Sequence, residues 1–269
     1  MVYHDGSVPY LSFEVLDKMD FIINGFSTRL GGVSSGEYES MNLTFTRGDD
    51  SKKVSENFRR IANALGVRTE DMVYAAQTHT TNVLKVGASH KGMGIVRERN
   101  FHDIDGLITD EPGVCLVTSY ADCVPLYIVD TVHRAIGLSH SGWRGTVNGI
   151  GAVTLMAMQE AYGTRAEDVI VCIGPSICKN CYEVGEDVAG EFAQKYDSNQ
   201  QKDIIFSQKN NKFLLDLQAA NRHNFMGMGV NAKNIFMPDL CTCCRSELLY
   251  SHRASKGRRG GLCGFLQIK

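Results

Sequence analysis

Three short segments combine reactive residue types with positions where apolar, strand-like runs give way to loops. Gln77-Thr78-His79 closes the run Met72–Ala76, and Ala121-Asp122-Cys123 separates two apolar runs. His140-Ser141-Gly142-Trp143-Arg144-Gly145 follows directly on Ala135–Ser139. Strand ends are rigid and hold side chains at fixed geometry. Two imidazoles and a thiolate (His79, His140 and Cys123) suit Zn²⁺, and a fourth tetrahedral position left to water makes such a site catalytic and not structural. Spacing alone leaves a second reading open. His79 and Cys123 are 44 positions apart, which no local ligand pattern matches, and two hydrogen-bonded strand-end histidines with a packed cysteine also account for the sequence.

Other groups invite the same two-sided reading. Cys178 and Cys181 form a Cys-x-x-Cys, and Cys241, Cys243 and Cys244 cluster later in the chain. Together they could build a second, structural zinc site, or they are reduced thiols in packed loops. Arg253, Lys256, Arg258 and Arg259 make a basic loop that either reaches an anion or forms a solvated hairpin tip. Trp143 is a base-stacking residue or a packed wall. Several familiar signatures are absent: no Gly-x-x-x-x-Gly-Lys-Ser/Thr, no Gly-x-Gly-x-x-Gly after a strand, no His-Glu-x-x-His and no Gly-x-Ser-x-Gly elbow. The zinc nucleobase deaminase signature is also missing.

These residues need elements to position them. Val54, Phe58, Ile61 and Leu65 fall at steps of 4, 3 and 4, predicting a helix over 50–65, capped by Asp50 or Ser51 and ended by Gly66. Further helices are predicted over 148–162, 186–196 (Val188 and Phe192 inward) and 215–228 (Leu217, Ala220 and Phe225 inward). Runs 114–119, 125–129, 135–139 and 169–173 read as strands, the last stopped by Gly174-Pro175. Residues 248–251 and 262–268 read as a C-terminal hairpin. Strands come in clusters with helices between the clusters. This predicts an α+β fold of layered mixed β-sheets flanked by helices, in one domain spanning 1–269.

Composition narrows the function. The chain has 269 residues, 28 Lys+Arg against 30 Asp+Glu, a net charge of −2, and 43% hydrophobic residues. Without a basic excess, a nucleic-acid partner is not expected. No apolar stretch is long enough to span a bilayer, and Met1–Pro9 lacks a secretory pattern, so a cytoplasmic location and no membrane partner are expected. Nine cysteines, an odd number in a chain this long, argue against a disulfide framework.

Taken in order, the motifs resemble the YfiH/YlmD family, also called the multicopper polyphenol oxidase or laccase-domain family. The resemblance runs through Phe26-Ser27-Thr28-Arg29-Leu30-Gly31-Gly32-Val33-Ser34, Met41-Asn42-Leu43 and Gly48-Asp49-Asp50. It continues in the three segments above and in Gly174-Pro175-Ser176-Ile177 and Cys181-Tyr182-Glu183-Val184. Leu215-Asp216-Leu217, Ala220-Asn221, Cys241-Thr242 and Tyr250-Ser251-His252-Arg253 complete the order. The chain departs from the family pattern at Thr44, Arg47 and His252, which leaves substrate contacts there open.

The resemblance implies a fold similar to that of deamidating bacterial toxins, with zinc held by His79, Cys123 and His140. It also implies phosphorolysis of adenosine, inosine and methylthioadenosine, together with adenosine deamination, so the partners are a purine nucleoside and phosphate. Zinc with an open position brings the pKa of water towards roughly 7. Asp122 is the carboxylate nearest the ligands in sequence and a candidate acid/base, or else a structural partner of a loop or ligand. Phosphate needs cationic or N–H donors, and Arg29 beside Gly31-Gly32 and Arg144 are the candidates. Asn42 and Gln77 are candidates for contacts to ribose or base. A true multicopper oxidase needs more imidazoles than the chain's eight, several in His-x-His pairs, and no such pair occurs, although Cu²⁺ could displace zinc in vitro. Two rivals stay open: a cysteine hydrolase using Cys123 with His79 or His140, and a non-catalytic module with a closed structural zinc site.

Overall fold

A computed structural model describes residues 1–269. Two six-stranded sheets lie face to face. The first runs in the order 2–4, 10–12, 22–27, 262–268, 115–120 and 72–74, antiparallel except for its last pair. The second runs 235–236, 169–173, 124–130, 135–141, 106–109 and 83–85, antiparallel at its centre and parallel at both edges. A small sheet of three short strands (183–184, 213–215 and 205–207) completes the set. This is the layered mixed-sheet architecture that the clustering of strands predicts.

Alternation along the strands builds the layers. In Val124–Asp130, Leu126 and Ile128 face one side while Tyr127 and Val129 face the other. The second set meets Leu116, Leu266 and Ile268 of the first sheet, forming the core between the sheets. On the outer face of the first sheet lies the helix Ser51–Leu65, whose Val54, Phe58, Ile61 and Leu65 pack on Met72, Val117 and Phe265. Asp50 caps its start by accepting from the Lys52 amide, and Gly66 ends it at φ 71°, as the spacing predicts. The outer face of the second sheet carries Ile150–Tyr162, Glu186–Lys195 and Leu217–Gly227, which contribute Leu155, Met158, Phe192 and Phe225 to a second core. Strands buried on both faces read as continuous apolar runs, which is why their sequence signal was strong.

The C-terminal hairpin does not form. Leu262–Ile268 is a central strand, fully buried and paired with Ile22–Ser27 on one side and Cys115–Tyr120 on the other. Both of its edges are thus occupied by distant strands, with no room for a neighbour from 248–251. The latter segment turns instead: the Leu248 and Leu249 amides donate to the Arg245 carbonyl, while Leu249 and Tyr250 bury their side chains. No helix is long and apolar enough to cross a membrane.

Candidate active site

The three sequence segments converge where both sheets end on the same side. Cys123 sits in the turn between strands 115–120 and 124–130, and His140 near the end of strand 135–141. His79 lies in the loop after strand 72–74. Their donor atoms all fall within 4.8 Å of one another, with His79 Nε2 3.9 Å from Cys123 Sγ. The two imidazoles meet edge-on, centroids 4.8 Å apart. His140 is buried and His79 exposed, so the cluster opens to solvent on one side. No fourth His, Cys, Asp or Glu joins it.

One residue absent from the sequence-based candidates organises this centre. Asp105 is fully buried, and its carboxylate accepts from the amides of Thr78 (3.0 Å), His79 (3.1 Å) and Thr80 (2.9 Å) and from the Thr80 hydroxyl (3.0 Å). That bundle folds the loop that carries His79 at φ 67°, a left-handed conformation costly for a non-glycine residue. The same carboxylate lies 2.7 Å from His140 Nδ1, which orients the ring and leaves Nε2 free towards Cys123. Only an acidic residue just ahead of the apolar strand Gly106–Thr109 hints at Asp105 in the sequence.

Charges settle accordingly. Burial pushes the Cys123 thiol up, but His140 and then His79 together outweigh it and bring the thiol down to about 6. Burial opposes a charged His140, yet Cys123 and Asp105 raise it to about 9. Asp105, despite burial, is held at about 2 by His140 and the backbone N–H groups. In metal-free protein, alkylation of Cys123 by iodoacetamide should therefore rise with a midpoint at about pH 6, against roughly 8.5 for an ordinary thiol. A depressed acid stays ionised above its folded pKa, so reactivity is lost only below that midpoint, and His140→Ala should move it upward. Mass mapping of the Cys123 peptide across pH reads both.

Gly142 allows the close approach. A Cβ there would lie 2.7 Å from His79 Cδ2 and 3.2 Å from Cys123 Sγ, while its φ of −72° suits any residue. Gly142→Ala should leave the fold intact and weaken metal binding by roughly 10–100-fold, as for other residues that orient ligands. Chelator competition measures it, and unchanged affinity would refute the packing argument.

A cleft of about 160 Å³ opens over the cluster, walled by Thr44, Arg47, Gln77 and Arg259. A neighbouring cavity of about 250 Å³ shares Thr44, Thr46, Gln77 and Ser119 with it and extends to Arg99 and His102. Arg259 turns inward from the basic loop: its Nη1 donates to the Gly260 carbonyl, while its buried Nε has no partner. Burial, and next the Arg47 charge, lower Arg259 to about 10. Thus the loop is not simply a solvated tip. Of the departures from the family pattern, Thr44 and Arg47 line the cleft.

The remaining candidates are placed differently. Asp122, at φ 88°, accepts from Thr242 Oγ1 (2.6 Å) and the Arg253 amide (2.7 Å), one at each oxygen, so it anchors loops beside Cys123. Gln77 lines the cleft, but its amide is paired at both ends with Ser119. Asn42 is buried and joins the Thr44 and Gly261 amides, which sets two walls of the cleft and leaves no contact for a ligand. Arg29 spends its guanidinium on the Glu39 and Ser246 carbonyls and lies over Tyr250. Arg144 is exposed and stacks on Trp143 at 4.3 Å, and Trp143 packs against the second core.

Comparison with known proteins identifies the family. A family model described as multi-copper polyphenol oxidoreductase laccase matches residues 23–269. The chain belongs to that family. It is 38% identical to a purine nucleoside phosphorylase of Bacteroides thetaiotaomicron over 96% of both chains. It is 32% identical to adenosine deaminase RL5 of an unknown prokaryotic organism, over 88% of this chain and 93% of that one. The structure superposes on that of Bacillus licheniformis YfiH with a TM-score of 0.94, 30% identity and 99% coverage of each chain. As a member of this family, the protein is an enzyme.

Proposed function

We propose that this enzyme processes purine nucleosides at a zinc-dependent site, by phosphorolysis of adenosine, inosine and methylthioadenosine and by deamination of adenosine. The names of its relatives support the substrate class. The observation that carries the reading is the pairing of two features in one cleft: the His79–Cys123–His140 cluster and the unpartnered Arg259 Nε beside Arg47.

The donor set fits a divalent ion. One sulfur and two imidazole nitrogens match zinc's preferences, Asp105 supplies the partner that ligating histidines usually have, and no fourth protein donor closes the site. When bound there, zinc supplies Lewis-acid charge that makes water more acidic and stabilises developing anions. Arg259 and Arg47 hold inorganic phosphate by charge-assisted hydrogen bonds, orienting an oxygen for attack at ribose C1′ as the C1′–N9 bond breaks. The Thr44 and Thr46 hydroxyls, 3.2 Å apart on the cleft wall, are our candidates for contacts to sugar hydroxyls. Asp122 acts as an anchor for Cys123 and not as the proton carrier.

The test is incubation of metal-verified protein with adenosine, with and without phosphate. Adenine formed only with phosphate supports phosphorolysis, and inosine formed in both supports deamination. Neither product at any zinc loading refutes the reading. One observation favours a second reading: Asp105, His140 and Cys123 line up as carboxylate, imidazole and thiolate, as in a cysteine hydrolase. A chelator separates the two, because such a hydrolase survives metal removal.

A further inference from the structure

A second cluster of metal-binding side chains lies apart from the cleft. The loop after strand Val169–Ile173 carries Cys178 and Cys181, and the turn after Leu240 carries Cys241 and Cys244. Ser176 pairs with Cys241 as an isolated parallel bridge, and the Thr242 amide donates to the Ser176 carbonyl, so the backbones hold the two turns in register. The four sulfurs all lie within 4.8 Å of one another, with Cys181 and Cys244 at 3.5 Å, and none is in a disulfide. A tetrahedral zinc with bonds of about 2.3 Å needs sulfurs about 3.8 Å apart, which these spacings bracket. Cys241 Sγ already accepts from the Cys178 and Cys244 amides, an arrangement that favours thiolate over thiol. Cys243 stays outside the set and packs against the second core.

We propose that Cys178, Cys181, Cys241 and Cys244 form a second metal site, a closed structural one that binds a single zinc ion. Uptake releases to solvent the protons that the four sulfurs still carry, fewer than four where Cys241 is already a thiolate, and needs no oxidant or reductant. Four thiolates on one Zn²⁺ leave two negative charges, and Arg253 lies alongside, donating to the Cys181 and Glu183 carbonyls. The site has a structural consequence for the active centre. The Ile177 amide donates to the Asp122 carbonyl and Thr242 to the Asp122 carboxylate, so the two stapled turns together grip the residue before Cys123. Sulfur-only tetrahedral coordination also suits iron, and the metal analysis below separates the two.

The test measures zinc per chain, with X-ray absorption at the zinc edge, on full-length protein from zinc-supplemented cells. The double variant His79→Ala, His140→Ala removes the other centre and should retain one zinc surrounded by four sulfurs at about 2.3 Å. Cys181→Ser, Cys244→Ser should lose one equivalent and melt at least about 5 °C lower. If the cysteine variant does not fold, the histidine variant still decides. Zinc-free histidine variant, nitrogen or oxygen neighbours around its zinc, iron in its place, or a Cys181–Cys244 disulfide in freshly isolated protein would each overturn the proposal. Failure of the active-site assignment shows separately, as a wild type that holds no more zinc than the histidine variant.

Discussion

Asp105→Asn should abolish most zinc uptake at the proposed His79–Cys123–His140 site and cost at least about 100-fold in activity, although the substitution removes none of the proposed ligands. The carboxylate receives five donors: three amides, one hydroxyl and His140 Nδ1. An asparagine has one acceptor oxygen, and whichever way its amide flips, the NH₂ group faces donors. Two or more partly buried N–H groups are left unmatched, at roughly 1–2 kcal/mol each, so stability should fall by about 2–4 kcal/mol. The loop that carries His79 in its left-handed turn then loses its anchor, and His140 loses the partner that fixes its ring. Denaturant unfolding of metal-free protein and zinc competition measure the two effects separately. Wild-type zinc affinity in the variant would show that the ligands are positioned by something else.

The same carboxylate sets an acid dependence. Its folded pKa, about 2, lies below the unfolded value of about 3.8, so its contribution is complete above the unfolded value and is lost as pH falls through the folded one. That contribution is about 2 kcal/mol and should be missing from the acid limb of the asparagine variant. His140 has the opposite sign: raised to about 9, it contributes fully below its unfolded value near 6.5 and loses that contribution as pH rises through 9. With Cys123 at about 6, the metal-free thiolate–imidazolium pair is intact between about pH 6 and 9.

How legible each part was in the sequence follows the range of the interaction that makes it. The helix Ser51–Leu65 and its two caps depend on neighbours within a turn or two, and spacing alone locates them. Strands 169–173 and 124–130 are buried on both faces and are visible as apolar runs. Leu262–Ile268 is visible as a strand, but its partners lie more than 100 residues away, so proximity suggested the wrong one. The proposed ligands His79, Cys123 and His140 stand out by type, yet their convergence needs the fold or the ordered family motifs. Asp105 binds mostly backbone amides, and backbone amides leave no trace in a sequence. Arg259 looks like any of four basic residues in its loop, and only burial distinguishes it from exposed Arg258 and Lys256. The cysteine quartet is legible as one Cys-x-x-Cys and a later cluster of three cysteines, whereas the exclusion of Cys243 required the turn to be seen.

Arg259→Ala should separate the two proposed reactions, lowering phosphate-dependent cleavage by roughly 10²–10³-fold while adenosine deamination falls by less than about tenfold. A donor fixed in a water-poor site beside a transferring anion is worth that much, and deamination involves no phosphate. Arg259 is held there at an energetic disadvantage: burial and the Arg47 charge disfavour its cationic form, and its Nε has no partner within the protein. Such an arrangement destabilises the free protein, and an anion that met both guanidinium groups would relieve it. The alanine variant should therefore melt no lower than wild type in phosphate-free buffer, and added phosphate should raise the melting midpoint of wild type alone. Arg259→Lys keeps the charge but not the planar fork, and should recover only part of the phosphate-dependent rate. Phosphate stabilising the alanine variant as much as wild type, or equal losses in both reactions, would remove Arg259 from the phosphate site and leave its burial unexplained.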